Sequence, residues 1–287
     1  MIITSLTNPR VKHVVALNDR KQREQDGLML VEGYDPLSMA VRCGLAPKTL
    51  FICPDMMKVT DGQYRALRAA CATAGAEIVE VNEPVFAKMA YRDGPDGWLG
   101  VFVKPKYELD ALLLSHEDGK AAPLILVAEH VEKPGNLGAM LRTCDAAGVT
   151  AFISCDPLAD LSNPNVVRAS QGALFSVPIA EGSSQEVIRW LRARGVRILA
   201  TTPNPINGKE PAYYTQVDLT QPVAIVVGEE KNGLSDLWLK QADAPIKIPM
   251  TGKINSLNVS ISAALCVYEA VKQRQNSRTS TIWPAGN

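Results

Sequence analysis

Apolar and polar positions alternate in blocks along this chain, with short apolar runs separated by longer stretches of helical period. In the first hundred residues "LMLVEG" (28–33), "KTLFIC" (48–53), "AEIVEV" (76–81) and "GWLGVFV" (97–103) read as strands. Between them "YDPLSMAVRCG" and "GQYRALRAACATAG" read as helices, each closed by a glycine that supplies the left-handed terminus. A second alternation follows. "LILVA" (124–128), "TAFISC", "VRILAT", "VAIVVG" and Ile246 to Ile248 read as strands. "NLGAMLRTCDAAG", "EVIRWLRARG" and a terminal helix starting at Ser256 fill the gaps. Short apolar strands between helices predict a parallel sheet covered on both faces.

This pattern predicts an α/β protein in four parts: a small α/β domain over 1–104, a linker over 105–122, a second parallel-sheet α/β domain over 123–275, and a loose tail over 276–287. The linker carries an early Pro/Lys pair, a polar stretch and a short helical pattern at 108–115. Trp283 is a candidate anchor for the tail.

Composition narrows the chemistry. The 287 residues are 46% hydrophobic and 21% charged, enough to bury ordinary cores. No run of about 18 apolar residues suggests a membrane span, and the N-terminus lacks the pattern of a signal peptide. The six cysteines never approach C-x-x-C spacing and histidines number three, so neither a disulfide framework nor a metal site is expected and the cytoplasm is the simplest setting. Formal net charge is zero, so contact with nucleic acid must come from local patches.

Three strand exits carry unusual polar groups, and ligands of open parallel sheets gather at such exits. The first is "EHVEKPGNLGAMLRTCDAAGV" (129–149), with Asn136 between two glycines and Arg142 nearly two helical turns further on. Read alone, Asn136 is a helix cap and Arg142 a surface cation. The second is "VVGEEKNGLSD" (226–236), where two glutamates sit in a tight turn and Ser235 or Asp236 starts the next helix. The third, "IKIPMTGKINSLNVSISAALCVYEA", sets Ser256 and Asn258 around one leucine at the mouth of an apolar helix, although a cap needs one of them.

Taken together and in this order, the three stretches resemble the three motifs of the SpoU family of RNA 2'-O-ribose methyltransferases, in the SPOUT superfamily. The likeness covers about residues 124 to 272. The N-terminal part, with "LMLVEGYDPLSMAVRCG", is similar to the substrate-binding domain attached to many members. One departure stands in the second motif, usually G-N-E-G-x-G-L-S: Glu229 and Lys231 replace its Asn and Gly, while Glu230 keeps the acidic position.

The resemblance implies a deep trefoil knot in the second domain and S-adenosylmethionine as methyl donor, with Gly228, Ile248 and Leu257 at the cofactor positions. It implies a catalytic set of Asn136, Arg142, Glu230, Ser256 and Asn258. Because a guanidinium is effectively always protonated, Arg142 is expected to hold the phosphate and the 2'-oxygen electrostatically. The expected partners are RNA, above all rRNA, and a second copy of the chain that shares the active site. Arg10, Lys12, Arg20, Lys21 and Arg23, all in the first two dozen residues, are the candidate RNA contacts beside Arg142, with Arg92 as a weaker one. A basic helix face is equally the ordinary appearance of a solvated surface. A tRNA methyltransferase and a non-catalytic RNA-binding factor on the same fold are the alternatives.

Overall fold

A computed structural model describes residues 2–91, 93–114, 122–206 and 208–279. The chain forms two compact units, one of Met1–Lys106 with Asp160–Ser176 and one of Tyr107–Ala159 with Val177–Asn287. Residues 160–176 fall within the sequence span read as the second domain, yet pack with the first unit.

The first unit runs β1 (Ile2–Ile3), α1 (Pro9–Ala16), α2 (Arg20–Asp26), β2 (Leu28–Glu32), α3 (Tyr34–Arg42), β3 (Thr49–Ile52), α4 (Asp61–Thr73), β4 (Glu77–Val81), α5 (Glu83–Met89) and β5 (Trp98–Val103). Its sheet has the order β1-β4-β3-β5-β2, with β5 antiparallel to both β2 and β3. Val11, Val14 and Leu17 from the α1 region pack with Leu30, Phe51, Val79 and Leu99 of the strands and Val85, Phe86 and Met89 of α5. Helix α5 starts where Asn82 accepts the Val85 N–H at 3.2 Å and Pro84 follows in the first turn.

The second unit begins with β6 (Leu124–Glu129), α6 (Pro134–Ala147) and β7 (Ala151–Cys155). Two helices of the first unit, α7 (Pro164–Ser170) and α8 (Ala173–Ser176), intervene in the chain. The unit continues with β8 (Ile179–Gly182), α9 (Ser184–Ala193), β9 (Arg197–Thr201), β10 (Ala212–Tyr213), β11 (Val223–Val227), α10 (Asp236–Gln241), β12 (Ala244–Lys247) and α11 (Val259–Thr279). Its seven strands are all parallel, in the order β10-β12-β9-β11-β6-β7-β8.

Side chains alternate across a strand, and the central strands β6, β7 and β11 are buried on both faces. Ile125, Val127, Ile153, Ile198 and Val226 pack with Val187 and Leu191 of α9 and Trp238 of α10. Leu124, Leu126 and Ile225, on the alternate positions, are buried as well, and α11 lies against α6, β6 and β11. Each fully buried aliphatic side chain contributes roughly 1.5–3 kcal/mol, which explains why these strands read as unbroken apolar runs.

Three expectations are corrected. The terminal helix starts at Val259 rather than Ser256, because Asn258 is the residue whose side chain caps it: its Oδ1 accepts from Ser260 N at 2.9 Å and from Ser260 Oγ at 2.6 Å. The same helix continues to Thr279, so residues 276–279 are helical rather than loose. The helical pattern at 108–115 forms a single tight turn, Leu109–Ala111. Arg92 and Trp283 lie outside the described residues. Among the described residues no helix is long and apolar enough to cross a membrane.

Candidate functional site

The strands β9, β11 and β12 lie side by side, and the loops at their C-terminal ends surround a cavity of about 470 Å³. That volume suits a small organic ligand. Thr201, Thr202 and Asn204 line it after β9, Gly228 to Leu234 after β11, and Ile248 and Met250 after β12. Asn255, Ser256 and Leu257 close the wall before α11, which adds Val259, Ser262 and Cys266. All three residues expected at a cofactor, Gly228, Ile248 and Leu257, are in this wall.

Gly228 is there for want of space. A Cβ at this position would stand 2.4 Å from the Gly233 carbonyl atoms and 2.6 Å from the Leu234 nitrogen. The loop folds back on itself so tightly because Gly233 N donates to Glu229 O at 2.9 Å, with Gly233 in the left-handed region at φ 69°. Glu229, one of the two departures in this stretch, uses its side chain to hold the loop, accepting from Asn232 Nδ2 at 2.8 Å. Lys231, the other, is exposed.

A chain of polar side chains adjoins the cavity. Helix α6 begins with Lys133 at its cap and Pro134 in its first position, so Asn136 is already inside the helix and does not cap it. Its buried side chain donates from Nδ2 to Glu230 Oε1 and accepts at Oδ1 from Asn258 Nδ2 at 3.1 Å. Asn258 passes the connection on to Ser260. Glu230 belongs both to this chain and to the cavity wall, and Lys133 Nζ lies 3.9 Å from its carboxylate.

The structure thus joins Asn136, Glu230 and Asn258, and sets Ser256 in the cavity wall. Arg142 stands apart from both. It is exposed on α6, does not line the cavity, and among the described residues has no hydrogen-bond or ion-pair partner.

Sequence reasoning missed Thr201, Thr202, Asn204, Asn255 and Cys266. The turn-forming run "TTPNP" directly after an apolar strand was the available signal for the first three. Cys266 is buried, and desolvation pushes its thiol up to about 12, so it stays neutral.

In the first unit the expected RNA contacts divide. Lys12 and Lys21 are exposed. Arg10 and Arg20 are exposed and engage Glu77 and Glu24, each at 2.7 Å; surface pairs of this kind hold their partners weakly. Arg23 is corrected. It is 1% exposed, bonds the carbonyls of Leu17 and Asn18, and forms an ion pair with Asp160 at 2.9 Å. Its guanidinium is spent inside the unit, where no phosphate reaches it.

The chain is similar to known proteins over nearly its whole length. The model of the SpoU rRNA Methylase family matches residues 123–268, and that of the MRM3-like substrate binding domain matches residues 8–100. The chain is 31% identical over 273 residues to the 23S rRNA (uridine(2479)-2'-O)-methyltransferase of Streptomyces viridochromogenes, covering 92% of this chain and 90% of that protein. It is 27% identical to the 23S rRNA (guanosine(2553)-2'-O)-methyltransferase of Bacillus subtilis over 266 residues, 93% of this chain and 97% of that one. Among solved structures, the AdoMet-bound rRNA methyltransferase of Sinorhizobium meliloti superposes with a TM-score of 0.82 at 29% identity, covering 99% of each chain.

Proposed function

Since the chain belongs to the SpoU rRNA methylase family, we propose that it transfers a methyl group from S-adenosylmethionine to a ribose 2'-hydroxyl of ribosomal RNA. The observation that carries this reading is the union of a cofactor-sized cavity with a polar chain through one residue, Glu230.

The residues present fit the cofactor. Ile248, Leu257 and Val259 offer aliphatic walls for an adenine, Gly228 leaves its backbone open to close approach, and Thr201, Asn204 and Asn255 supply polar groups. When bound, S-adenosylmethionine supplies an electrophilic methyl carbon. The protein must then align the ribose oxygen, exclude water and stabilise the charge that develops as the oxygen loses its proton. Glu230 fixes the amide of Asn136, and Asn136 fixes that of Asn258, so the amides point one way. The guanidinium of Arg142 holds the neighbouring phosphate and the charge on the 2'-oxygen. Ser256 bonds an acceptor at the cavity mouth. Cys266, neutral at physiological pH, does not compete as a nucleophile.

A second copy of the chain completes the site. Arg142 is unpartnered among the described residues and away from the cavity of its own chain, which supports action in the neighbouring protomer. Exposed Ile261, Leu265 and Tyr268 make an apolar stripe along α11, suited to a pairing surface. The position of β12 between β9 and β10, with the chain then returning to α11, supports the knotted thread of the family. The match of residues 8–100 to a substrate-binding domain, with Arg10, Lys12, Arg20 and Lys21 on its surface, supports RNA binding there. Five buried free thiols and a ribosomal substrate support a cytoplasmic setting.

Incubation of the protein with methyl-labelled S-adenosylmethionine and rRNA from cells lacking it tests the proposal. Alkaline cleavage of RNA uses the 2'-oxygen, so the label should survive in alkali-stable dinucleotides at one mapped site. Label on a base, or on tRNA in preference to rRNA, refutes it.

A further inference from the structure

Glu129, the last residue of β6, is a carboxylate with no exposed surface. Its Oε2 accepts the backbone N–H of Ser235 at 2.8 Å, and its Oε1 lies 3.3 Å from Ser184 Oγ. Ser235 is the cap of α10 and the first residue after the 228–234 loop. Ser184 opens α9, accepts from Trp238 Nε1 of α10 at 2.9 Å, and bonds Asp156 after β7. One buried carboxyl group therefore ties the exit of the 228–234 loop to the end of β6. At its entrance the same loop is anchored by β11. Glu230 sits between the two anchors, and its target, Asn136, follows Glu129 by only seven residues in the chain.

We propose that Glu129 is a positioning residue for methyl transfer: it clamps the loop exit so that Glu230 meets Asn136 and the cavity wall keeps its shape. The inference rests on the methyltransferase reading above. A buried carboxylate is costly unless it is hydrogen-bonded, and a backbone N–H is a partner whose position is set by the fold rather than by a rotamer. Without the clamp the loop is held at Gly228 and by its own Glu229–Gly233 bridge, which fix its shape but not its distance from α6. Glu129, His130 and Asp156 also bring one potential metal-ligand atom each within 4.8 Å of one another, but Ser235 already bonds Glu129 Oε2 and Ser184 bonds Asp156 Oδ2, so hydrogen bonds hold these carboxyl groups without an ion.

Three variants test the clamp. Glu129→Ala removes the acceptor. Ser235→Pro removes the backbone donor, together with a hydroxyl that makes no cap bond, at a residue whose φ of −64° a proline adopts unaided. Glu129→Gln keeps a carbonyl oxygen for the Ser235 N–H. Calorimetry with S-adenosylmethionine is expected to show Kd raised about tenfold in each of the first two. The double variant should be no weaker than the worse single one, because both cut the same link, and the Gln variant should stay within about threefold of wild type. In the methylation assay KM for the cofactor should rise while KM for RNA holds, whereas a merely structural lesion lowers the active fraction and leaves both unchanged.

A folded Ser235→Pro protein with wild-type Kd overturns the proposal even if Glu129→Ala fails to fold, as does an additive double variant. So does loss of cofactor binding on chelation with its return on adding Mn²⁺, which would make Glu129 a metal ligand. Cofactor binding needs no RNA, so wild-type protein that binds S-adenosylmethionine yet leaves rRNA unmodified would defeat the functional reading and spare the clamp.

Discussion

Asn258 Nδ2 donates to Asn136 Oδ1 at 3.1 Å across a sequence separation of 122 residues. The bond gives Asn258 a second task beside its cap: it caps α11 with its oxygen and orients Asn136 with its nitrogen, while Ser256 lines the cavity. One residue does both tasks because the cap uses only the acceptor half of the amide. Asn258→Ala should therefore cost about 1 kcal/mol of helix stability. It should also lower kcat about 10- to 100-fold, because the Oδ1 of buried Asn136 loses its partner. Asn258→Asp keeps the cap and loses the donor, so it separates the effects: the melting temperature should recover and turnover should not.

Arg142 should be indispensable for turnover and irrelevant to cofactor affinity, since it does not line the cavity. Arg142→Ala is expected to lower kcat by about 10²–10³ or more, with an unchanged Kd for S-adenosylmethionine. Arg142→Lys should rescue little, because a point charge does not reproduce the planar fork. Mixing Arg142→Ala protomers with Glu230→Ala protomers should restore part of the activity if the arginine serves its neighbour's cavity. Complete inactivity of the mixed dimers, with each parent folded, would place Arg142 in its own chain's site.

Gly228 predicts a different failure. Ala at this position meets backbone atoms of Gly233 and Leu234 at 2.4–2.6 Å, and backbone cannot step aside as a flexible side chain would. Gly228→Ala should abolish measurable cofactor binding while the melting temperature falls modestly, since the loop carries little of the core. Unchanged affinity by calorimetry would show that the loop tolerates opening.

The alternation of apolar runs made the strands of both units legible, because parallel strands buried on two faces have no polar side to disguise them. The motif residues were legible by resemblance, and the structure joins Asn136, Glu230 and Asn258 as side chains. What stayed hidden depends on pairing across the chain. Helix α5 hides in "NEPVFAKM", too short to show a period and recognisable afterwards by its Asn82 cap. Arg23 looked like its neighbours Arg20 and Lys21 in sequence, and only the fold reveals that one side of α2 is buried against Asp160. Glu129 ends an apolar run with a charge, and its partner is a backbone N–H more than a hundred residues away, which no local pattern encodes.

The cysteines give a check on burial across both units. Cys43 is exposed, whereas Cys53, Cys71, Cys144, Cys155 and Cys266 are buried. Desolvation raises the last four, Cys71 to about 11 and Cys155 and Cys266 to about 12, and burial also raises Cys53. Native protein at pH 7.5 should thus lose one thiol rapidly to a maleimide and the rest only on denaturation. Rapid modification of a second thiol that S-adenosylmethionine suppresses would identify Cys266 and mean that the cavity opens more widely than its wall residues suggest.

The exposed cations of α1 and α2 and the buried Arg23 should separate RNA binding from stability. Replacing Lys12, Arg20 and Lys21 together by alanine should weaken RNA affinity and reduce the salt slope by about 2–3, with little change in melting temperature because all three side chains are exposed. Arg23→Ala should do the reverse. It leaves Asp160 buried and uncompensated apart from Lys104 at 3.4 Å, a loss of about 3–5 kcal/mol. Burial alone would raise the Asp160 carboxyl, but the Ser162 N–H, Arg23 and Lys104 outweigh it and hold it below its ordinary value. A carboxyl depressed on folding stabilises the native state above its unfolded pKa of about 4, and that stability is lost as pH falls through the lower folded value. Wild-type protein should therefore lose stability on acidification below about pH 4 more steeply than Arg23→Ala, in which the Ser162 N–H and Lys104 remain and the depression is smaller. An unchanged salt slope in the triple variant, or a strong RNA-binding defect in folded Arg23→Ala, would reverse the roles assigned to the exposed cations and to Arg23.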